Sequence, residues 1–173
     1  GLKGPEVLAG VPGTMGGALI MNAGGHEGEI KSVVNRVLIV LHGEVKWLSN
    51  EEVGFEYRAS NFPKGCYILG CELGLTPGNK VALKAQVKEH QRRRRETQPL
   101  QFPNSGSIFK NPPGDYAGRL IEEAGCKGMQ VGQAQVSELH ANFIINLGGA
   151  TASDIIKLAR EIQRKVFQIA KVK

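Results

Sequence analysis

The chain has 173 residues, of which 41% are hydrophobic and 22% charged, a composition typical of a globular protein with one or two domains and not of a disordered one. Its 22 Lys and Arg against 16 Asp and Glu give a formal net charge of +6, which favours a phosphate-bearing partner without separating a nucleotide from a nucleic acid. The longest apolar run, residues 37–41, is too short to span a membrane, and three cysteines indicate neither a disulfide framework nor a zinc site, so we expect a cytoplasmic protein without a membrane partner.

A glycine-rich stretch, residues 10–17, lies near the start of the chain. Its glycines would let backbone N–H groups approach a ligand closely, and Thr14 can cap a short helix. The stretch lacks the features of a dinucleotide fingerprint or a P-loop, and a set of tight turns remains the alternative to a phosphate cradle. Because Gly1 stands where an initiator Met would, we expect a piece of a longer protein.

Alternating apolar residues predict antiparallel strands in the next part of the chain. Two such runs, residues 33–41 and 44–48, are separated by His42-Gly43 and predict a hairpin, and residues 67–75 predict a further strand. Arg58 lies between them in a polar stretch. It could grip a carboxylate or phosphate with two N–H groups, although a plain surface arginine is the alternative.

A helix over residues 80–96, capped by Asn79, is predicted to end in four consecutive arginines, residues 92–95. They extend over more than one helical turn and cannot all face one ligand, so a solvated helix end is favoured over a nucleic-acid patch. Prolines then interrupt residues 97–103. We therefore predict two lobes, residues 1–97 and 98–173.

The stretch over residues 105–112 places hydroxyl, ammonium and carboxamide groups close together. If it is extended, Ser107, Phe109 and Asn111 share one face, while Ile108 and Lys110 share the other. Ser107 and Asn111 could then point at one ligand. A turn followed by the end of a strand explains the same residues equally well.

The remaining chain predicts a helix capped by Asp115 and closed by Gly125, a strand over residues 143–146, and a final amphipathic helix of about four turns capped by Thr151. His140 by itself would be an ordinary hydrogen-bonding histidine. Since no second histidine stands at metal-ligand spacing, we predict no metal site.

Taken together, seven motifs in sequence order resemble the UDP-N-acetylenolpyruvoylglucosamine reductase (MurB) family of peptidoglycan synthesis. The short connection over residues 60–67 resembles the compact type of that family. The motifs are Gly-Val-Pro-Gly-Thr-Met-Gly-Gly-Ala (10–18), Met-Asn-Ala-Gly (21–24), Phe-Glu-Tyr-Arg-Ala-Ser (55–60), Thr-Gln-Pro (97–99), Gly-Ser-Ile-Phe-Lys-Asn-Pro (106–112), Ala-Gly-Arg-Leu-Ile-Glu (117–122) and His-Ala-Asn-Phe-Ile-Ile-Asn (140–146).

The resemblance implies an α+β fold with a central FAD-binding lobe, PCMH-like and partial here, followed by a smaller C-terminal α+β lobe that binds a UDP-sugar. It also implies the chemistry: NADPH delivers a hydride to FAD, which passes it to the enolpyruvyl double bond of UDP-N-acetylglucosamine enolpyruvate to give UDP-N-acetylmuramate. No nucleic-acid partner is implied. The oligomeric state is not indicated, and a monomer is the default expectation.

Roles for individual residues follow from the same resemblance. The catalytic residues would be Arg58, which stabilises developing negative charge, and Ser107, which donates a proton. Substrate would be bound by Tyr57, Lys110, Asn111, Lys127 and His140. FAD would be bound by Gly10, Val11, Pro12, Gly13, Thr14, Gly16, Gly17, Asn22 and Gly24.

Two departures from the family pattern concern the ends of the chain. The family's N-terminal lobe is absent, and the chain stops at Lys173, before the family's Leu-Glu-Pro-Glu segment with its catalytic glutamate. We therefore expect this piece to bind FAD weakly or not at all and to be inactive alone. The alternatives are another FAD-dependent oxidoreductase with the same central fold, a non-catalytic UDP-sugar-binding module, and a nucleic-acid module that depends on the arginine run.

Overall fold

The computed structural model describes residues 1–25 and 28–172. The chain divides into two compact units, Gly1–Arg93 and Arg94–Lys173. Each unit combines helices with antiparallel sheet and has its own apolar core. The predicted α+β class is therefore confirmed. The assignment of the two lobes to FAD and to a UDP-sugar stays a prediction.

The first unit is organised around a three-stranded antiparallel sheet in the order β5-β4-β6. Two smaller two-stranded sheets, β1-β7 and β2-β3, accompany it. Two short 3₁₀ turns, Pro5–Leu8 and Ile30–Ser32, also belong to this unit. The strands are β1 (Leu2–Lys3), β2 (Gly24–Gly25), β3 (Gly28–Glu29), β4 (Val34–Leu41), β5 (Glu44–Ser49), β6 (Tyr67–Leu73) and β7 (Thr76–Pro77), and the helices are α1 (Met15–Ile20), α2 (Asn50–Val53) and α3 (Lys80–Thr97), which runs on into the second unit.

The β4–β5 hairpin forms as predicted. His42 and Gly43 both have positive φ, +52° and +85°, as a two-residue hairpin turn of the primed type requires. Val37 and Ile39 on one face of β4 are completely buried. They pack with the fully buried Leu19 of α1, so this face of the sheet forms the core of the first unit.

Helix α3 starts at its predicted cap, because Asn79 Oδ1 accepts from the backbone N–H groups of Val81 and Ala82 at 2.9 and 3.1 Å. No residue of α3 is buried. Of the four arginines three are exposed, as expected of a solvated helix end. Arg94 is half-buried, and that burial lowers its pKa. No helix among the described residues is both long and apolar enough to cross a bilayer.

The second unit is a four-stranded antiparallel sheet, in the order β8-β11-β10-β9, packed with two helices. Helix α5 packs on β9, β10 and α4. Its capping box is confirmed, because Thr151 Oγ1 accepts from Asp154 N at 3.1 Å and Asp154 Oδ2 accepts from Thr151 N at 2.9 Å. The elements are β8 (Asn104–Ser107), α4 (Ala117–Glu123), β9 (Gln130–Val131), β10 (Ala134–Val136), β11 (Phe143–Asn146) and α5 (Ala152–Ala170).

Helix α5 has 19 residues, longer than the four turns predicted from its stripe. Its buried face consists of Leu158, Ile162 and Val166, while Ile169 near its end is exposed. Cys126 is completely buried in the same core, and this burial raises the pKa of its thiol. The core of the second unit therefore lies between α4, α5 and one face of the sheet.

Candidate active site

The glycine loop, residues 10–17, is largely exposed on the first unit. Gly10 and Gly13 have φ values of +84° and +141°, a region that favours glycine, and a Cβ added at Gly13 or Gly16 would meet no atom within 4 Å. Thr14 Oγ1 accepts from Gly17 N at 3.1 Å, which confirms the predicted cap of α1. The loop therefore has free space beside its backbone.

Asn22 follows α1 and is completely buried. Its Oδ1 accepts from Lys31 N at 3.2 Å, and its Nδ2 donates to Glu29 Oε2 at 2.8 Å and to the Glu56 carbonyl at 2.9 Å. Asn22 also has a left-handed backbone, with φ of +43°. Its amide thus joins three separate segments of the first unit and leaves the side chain no direct access to solvent.

Arg58 lies at the centre of a tight turn. Glu56 and Ala59 exchange both backbone hydrogen bonds, at 3.0 and 3.2 Å, with Tyr57 and Arg58 between them. Arg58 has φ of +52°, a region in which a residue other than glycine is strained by about 1 kcal/mol. Strain of this kind persists where surrounding contacts hold it, and it often accompanies function.

The guanidinium of Arg58 supplies those contacts. Nη1 donates to Glu29 Oε1 at 3.0 Å and to the Asn22 carbonyl at 3.3 Å, while Nη2 donates to the Gly24 carbonyl at 2.9 Å. The Arg58 Cζ also lies 5.0 Å from the centroid of the Tyr57 ring. A guanidinium has five N–H groups. Within the described residues these bonds leave Nε–H and one Nη2–H, two donors that match the two oxygens of a carboxylate.

Gly24 allows β2 and β3, which both contact Arg58, to approach each other closely. A Cβ at Gly24 would lie 2.2 Å from the Gly28 carbonyl oxygen and 2.7 Å from Glu29 Cα, both backbone atoms of the paired strand β3. Only a residue without a side chain permits this approach of β2 and β3. The glycine is accounted for by this packing, and its predicted contact with FAD stays a prediction.

Glu29 is a site residue that the sequence did not reveal. It lies in a strand of two residues that shows no apolar periodicity, and it is 29 residues from Arg58 in the chain. The ion pair is partly shielded, with the Arg58 side chain 26% and the Glu29 side chain 19% exposed. No local sequence signal could have predicted this pair.

In the second unit, the extended segment predicted over residues 105–112 is wrong beyond Ser107, the exposed last residue of β8. Ile108 and Phe109 both pack against the core, so they do not alternate between faces. The cause is Asn142, a second residue without an assigned role. Its Oδ1 accepts from Phe109 N at 2.9 Å, and its Nδ2 donates to the Phe109 carbonyl at 2.8 Å. The Asn142 side chain thus makes the two backbone hydrogen bonds of Phe109 that a neighbouring strand would otherwise make, and it fixes the residues after Ser107.

Asn111, and not Asp115, supplies a side-chain acceptor for the first turn of α4. Its Oδ1 accepts from Ala117 N, the first residue of α4, at 3.0 Å. The residue before the helix is Tyr116, which makes no side-chain cap, so the predicted Asp115 cap is wrong. Asp115 instead pairs with Arg119, whose hydrogen bond lowers the pKa of Asp115 to about 2.

Lys127 and His140, both predicted to bind substrate, lie in the second unit. Lys127 lies in the turn after α4, and its Nζ pairs with Glu122 Oε1 at 2.8 Å. His140 is half-buried, its ring centroid lies 4.7 Å from that of Phe143, and its Nδ1 accepts from Asn142 N at 3.2 Å. Burial, together with the positive charge of Lys127, lowers the pKa of His140 below its ordinary value of 6.5. The ring is thus favoured in its neutral form with the proton on Nε2.

Each unit thus gathers part of the predicted set. Asn22, Gly24, Tyr57 and Arg58 meet around Glu29 in the first unit. In the second, Asn111 caps the first turn of α4, and a Cβ on Gly118 in that turn would lie 3.6 Å from His140 Cε1. The described residues contain no group of three or more His, Cys, Asp or Glu placed to bind a metal ion.

Lys110, predicted to bind substrate, is exposed and borders an open apolar cleft of the second unit. The space within this cleft and the solvent at its open mouth together amount to about 370 Å³. Its other lining residues come from the same segment, α4, α5 and the end of the chain: Phe109, Pro112, Ala117, Leu120, Ile121, Ile162, Gln163, Val166 and Val172. Such a lining suits apolar groups better than a diphosphate.

The chain is similar to known proteins over nearly its whole length. Residues 98–173 match the model of the UDP-N-acetylenolpyruvoylglucosamine reductase C-terminal domain family. UDP-N-acetylenolpyruvoylglucosamine reductase 2 of Symbiobacterium thermophilum is 48% identical over 169 residues, which cover 96% of this chain and 54% of that protein. The corresponding reductase of Carboxydothermus hydrogenoformans is 47% identical over 175 residues, which cover 100% of this chain and 58% of that protein.

Among solved structures, UDP-N-acetylenolpyruvylglucosamine reductase (MurB) from Thermus caldophilus matches with a TM-score of 0.89 and 41% identity. That match covers 95% of this chain and 61% of the Thermus caldophilus chain. The chain thus spans a little over half the length of the curated relatives it matches. The resemblance inferred from the sequence is confirmed by these matches.

Proposed function

We propose that this chain, whose residues 98–173 belong to the UDP-N-acetylenolpyruvoylglucosamine reductase C-terminal domain family, is part of an enzyme that reduces UDP-N-acetylglucosamine enolpyruvate to UDP-N-acetylmuramate for peptidoglycan synthesis. The reaction adds one hydride to the methylene carbon and one proton to the neighbouring carbon. NADPH would be the source of the hydride. The observation that carries the proposal is the Arg58 site, which holds two guanidinium donors ready for a carboxylate.

FAD is the cofactor in this proposal, and the glycine loop fits it. Residues 10–17 expose backbone beside which Gly13 and Gly16 leave open space, as close approach of a diphosphate requires. The other candidates, Asn22 and Gly24, follow in the chain, but their polar groups already bind Glu29 and Arg58. When bound, the flavin would accept hydride from NADPH and supply it to the substrate.

Arg58 would bind the carboxylate that the enolpyruvyl group carries. Adding hydride at the methylene carbon builds negative charge on the next carbon and on this carboxylate. A guanidinium already fixed by Glu29 and two carbonyls stabilises that charge without having to reorganise. Tyr57, whose ring lies beside the guanidinium, would cover one side of the same site.

Ser107 would donate the proton in this mechanism. Its hydroxyl is exposed at the end of β8, and the next residues are fixed by Asn142. A hydroxyl is a weak acid, but one held against a carbanion-like carbon can protonate it. The fixed backbone after Ser107 supplies the rigidity this requires.

The UDP-sugar would be bound by groups of the second unit. Lys127 offers a point charge to the diphosphate after leaving Glu122, and such an exposed pair costs little to break. His140, favoured as the neutral tautomer with the proton on Nε2, can donate one hydrogen bond to the ligand. Lys110 would contribute an additional positive charge. Asn111 would also contact the substrate, while its Oδ1 accepts from the first N–H of α4.

The test compares this chain with a longer protein that also carries the segments of the full-length relatives. We expect the longer protein to be yellow and to oxidise NADPH when UDP-N-acetylglucosamine enolpyruvate is added, while lactate and sugar alcohols give no turnover. For the 173 residues alone we expect weak or absent FAD binding and no turnover. A longer protein that holds FAD but oxidises only lactate or a sugar alcohol would contradict the proposal. A cytoplasmic location and a monomeric state belong to the same proposal.

A further inference from the structure

We propose that Glu29 is a positioning residue, whose negative charge fixes the guanidinium of Arg58 so that its remaining donors face one direction. The contact itself is independent of the reaction. Only the consequence for turnover rests on the proposed function, in which Arg58 meets a carboxylate.

Both oxygens of Glu29 face donors. Oε1 accepts from Arg58 Nη1 at 3.0 Å, and Oε2 accepts from Asn22 Nδ2 at 2.8 Å and lies 3.5 Å from Lys31 Nζ. A carboxylate can accept at both oxygens. A glutamine in the same place would turn its own NH₂ group toward either Arg58 or Asn22, so one donor would face another donor. The site is therefore specific for a carboxylate.

The position of Glu29 is fixed from the backbone side as well. Gly24 and Glu29 are paired residues of β2 and β3, and a Cβ at Gly24 would lie only 2.8 Å from Glu29 Cγ. The side chain of Glu29 thus lies directly against the Gly24 backbone, whose carbonyl accepts from Arg58. The ion pair and the backbone acceptor are parts of one rigid arrangement.

The consequence concerns the free edge of Arg58. With Glu29 in place, Nη1 and Nη2 have acceptors on three different residues, and Nε–H with one Nη2–H keeps a fixed direction. Without the carboxylate, Arg58 keeps only two carbonyl contacts, one of them 3.3 Å long. The guanidinium would then rotate about its Cζ–N bonds more freely, and a carboxylate ligand would have to order it on binding.

The experiment compares Glu29→Gln with Glu72→Gln in this chain. Glu72 is a matched control, because it pairs with Arg36 at 2.7 Å but lies on the exposed surface of the sheet. Nitrogen-15 spectra of the arginine Nε and Nη groups, with Arg58 assigned through Arg58→Lys, report rotation of each guanidinium. We expect at least about tenfold faster rotation of Arg58 in Glu29→Gln and no change of Arg58 in Glu72→Gln. Unchanged Arg58 signals in folded Glu29→Gln overturn the proposal.

If Glu29→Gln does not fold, Glu29→Asp provides the same test, because its charge is retained one methylene further from Arg58. Rotation of Arg58 no faster than in the wild type would then overturn the proposal. In the longer protein, Glu29→Gln is expected to lower kcat at least about tenfold, while Glu72→Gln leaves kcat unchanged. A longer wild-type protein without reductase activity refutes the proposed function, while the nitrogen-15 comparison still decides the role of Glu29.

Discussion

Replacement of Gly24 by alanine tests the packing that closes β2 against β3. The new Cβ would lie 2.2 Å from the Gly28 carbonyl oxygen and 2.7 Å from Glu29 Cα, whereas ordinary contacts are 3.4–4 Å. Both obstructing atoms belong to the backbone, so no change of rotamer relieves the overlap. The strands must instead separate by about 1 Å, which is enough to break hydrogen bonds between them.

The expected cost follows from what the separation breaks. The β2–β3 pair loses its ladder bonding, and the Gly24 carbonyl moves away from Arg58 Nη2, now 2.9 Å distant. With about 1 kcal/mol for each of two or three hydrogen bonds, Gly24→Ala should reduce the free energy of unfolding by about 2–3 kcal/mol. A Cβ added at the neighbouring Gly25 would meet no atom within 4 Å, and Gly25 has no positive φ, so Gly25→Ala should change it by less than about 0.5 kcal/mol.

Urea denaturation followed by tryptophan fluorescence measures both variants. Trp47 is the sole tryptophan of the sequence and lies in β5, so it reports on the first unit. Alanine also restricts the unfolded chain, but it does so equally at Gly24 and Gly25, and the difference between the variants removes this effect. Unfolding free energies of the two variants within about 0.5 kcal/mol of each other would refute the packing argument.

Three further predictions concern the second unit. Asn142→Ala should reduce the free energy of unfolding by about 2–4 kcal/mol in chemical denaturation, because it leaves both backbone groups of Phe109 without their partner. His140 should titrate below 6.5 in proton NMR, and Lys127→Gln should raise its pKa only partly, since burial is the larger cause. Thr151→Ala should lower the free energy of unfolding by about 1 kcal/mol in the same denaturation assay, because it removes the cap of α5.

A defined result would contradict each of these three predictions. Asn35 is exposed, and its Nδ2 donates to Glu72 Oε1 at 3.2 Å, so Asn35→Ala is the control for Asn142→Ala. Equal losses of unfolding free energy in the two variants would contradict the role given to the Asn142–Phe109 hydrogen bonds. For His140 the sign is fixed: its neutral form is favoured on folding, so stability falls as pH drops from 6.5 toward the lowered pKa. A titration midpoint at or above 6.5 would contradict this. Thr151→Ala without any effect would oppose the capping argument.

Local signals in the sequence were enough to predict much of the secondary structure. The β4–β5 hairpin follows from alternation around His42-Gly43, and the caps at Thr14, Asn79 and Thr151 follow from the residue types next to apolar periodicity. At each cap the interacting groups lie within three residues of one another, and the two strands of the hairpin are joined by only two residues, so the chain itself limits what they can contact.

The contacts that shape the candidate site could not be predicted in this way. Glu29 meets Arg58 from 29 residues away, and Asn142 meets Phe109 from 33 residues away. Nothing in the pattern around these residues limits their partners. Asn111 instead of Asp115 caps α4 because the chain returns on itself between them, a path that depends on where Asn142 holds Phe109. Residues of this kind become visible only when the tertiary fold is known.

The buried thiol of Cys126 is a native probe for opening of the core of the second unit. A reagent that attacks only the thiolate cannot reach a completely buried sulfur with a raised pKa until the core around it opens. The rate of labelling therefore measures how often that core opens under native conditions. Cys66 and Cys71 both belong to the other unit, so Cys126 is the sole cysteine of the second unit. Labelling at Cys126 therefore reports on this core without an introduced probe.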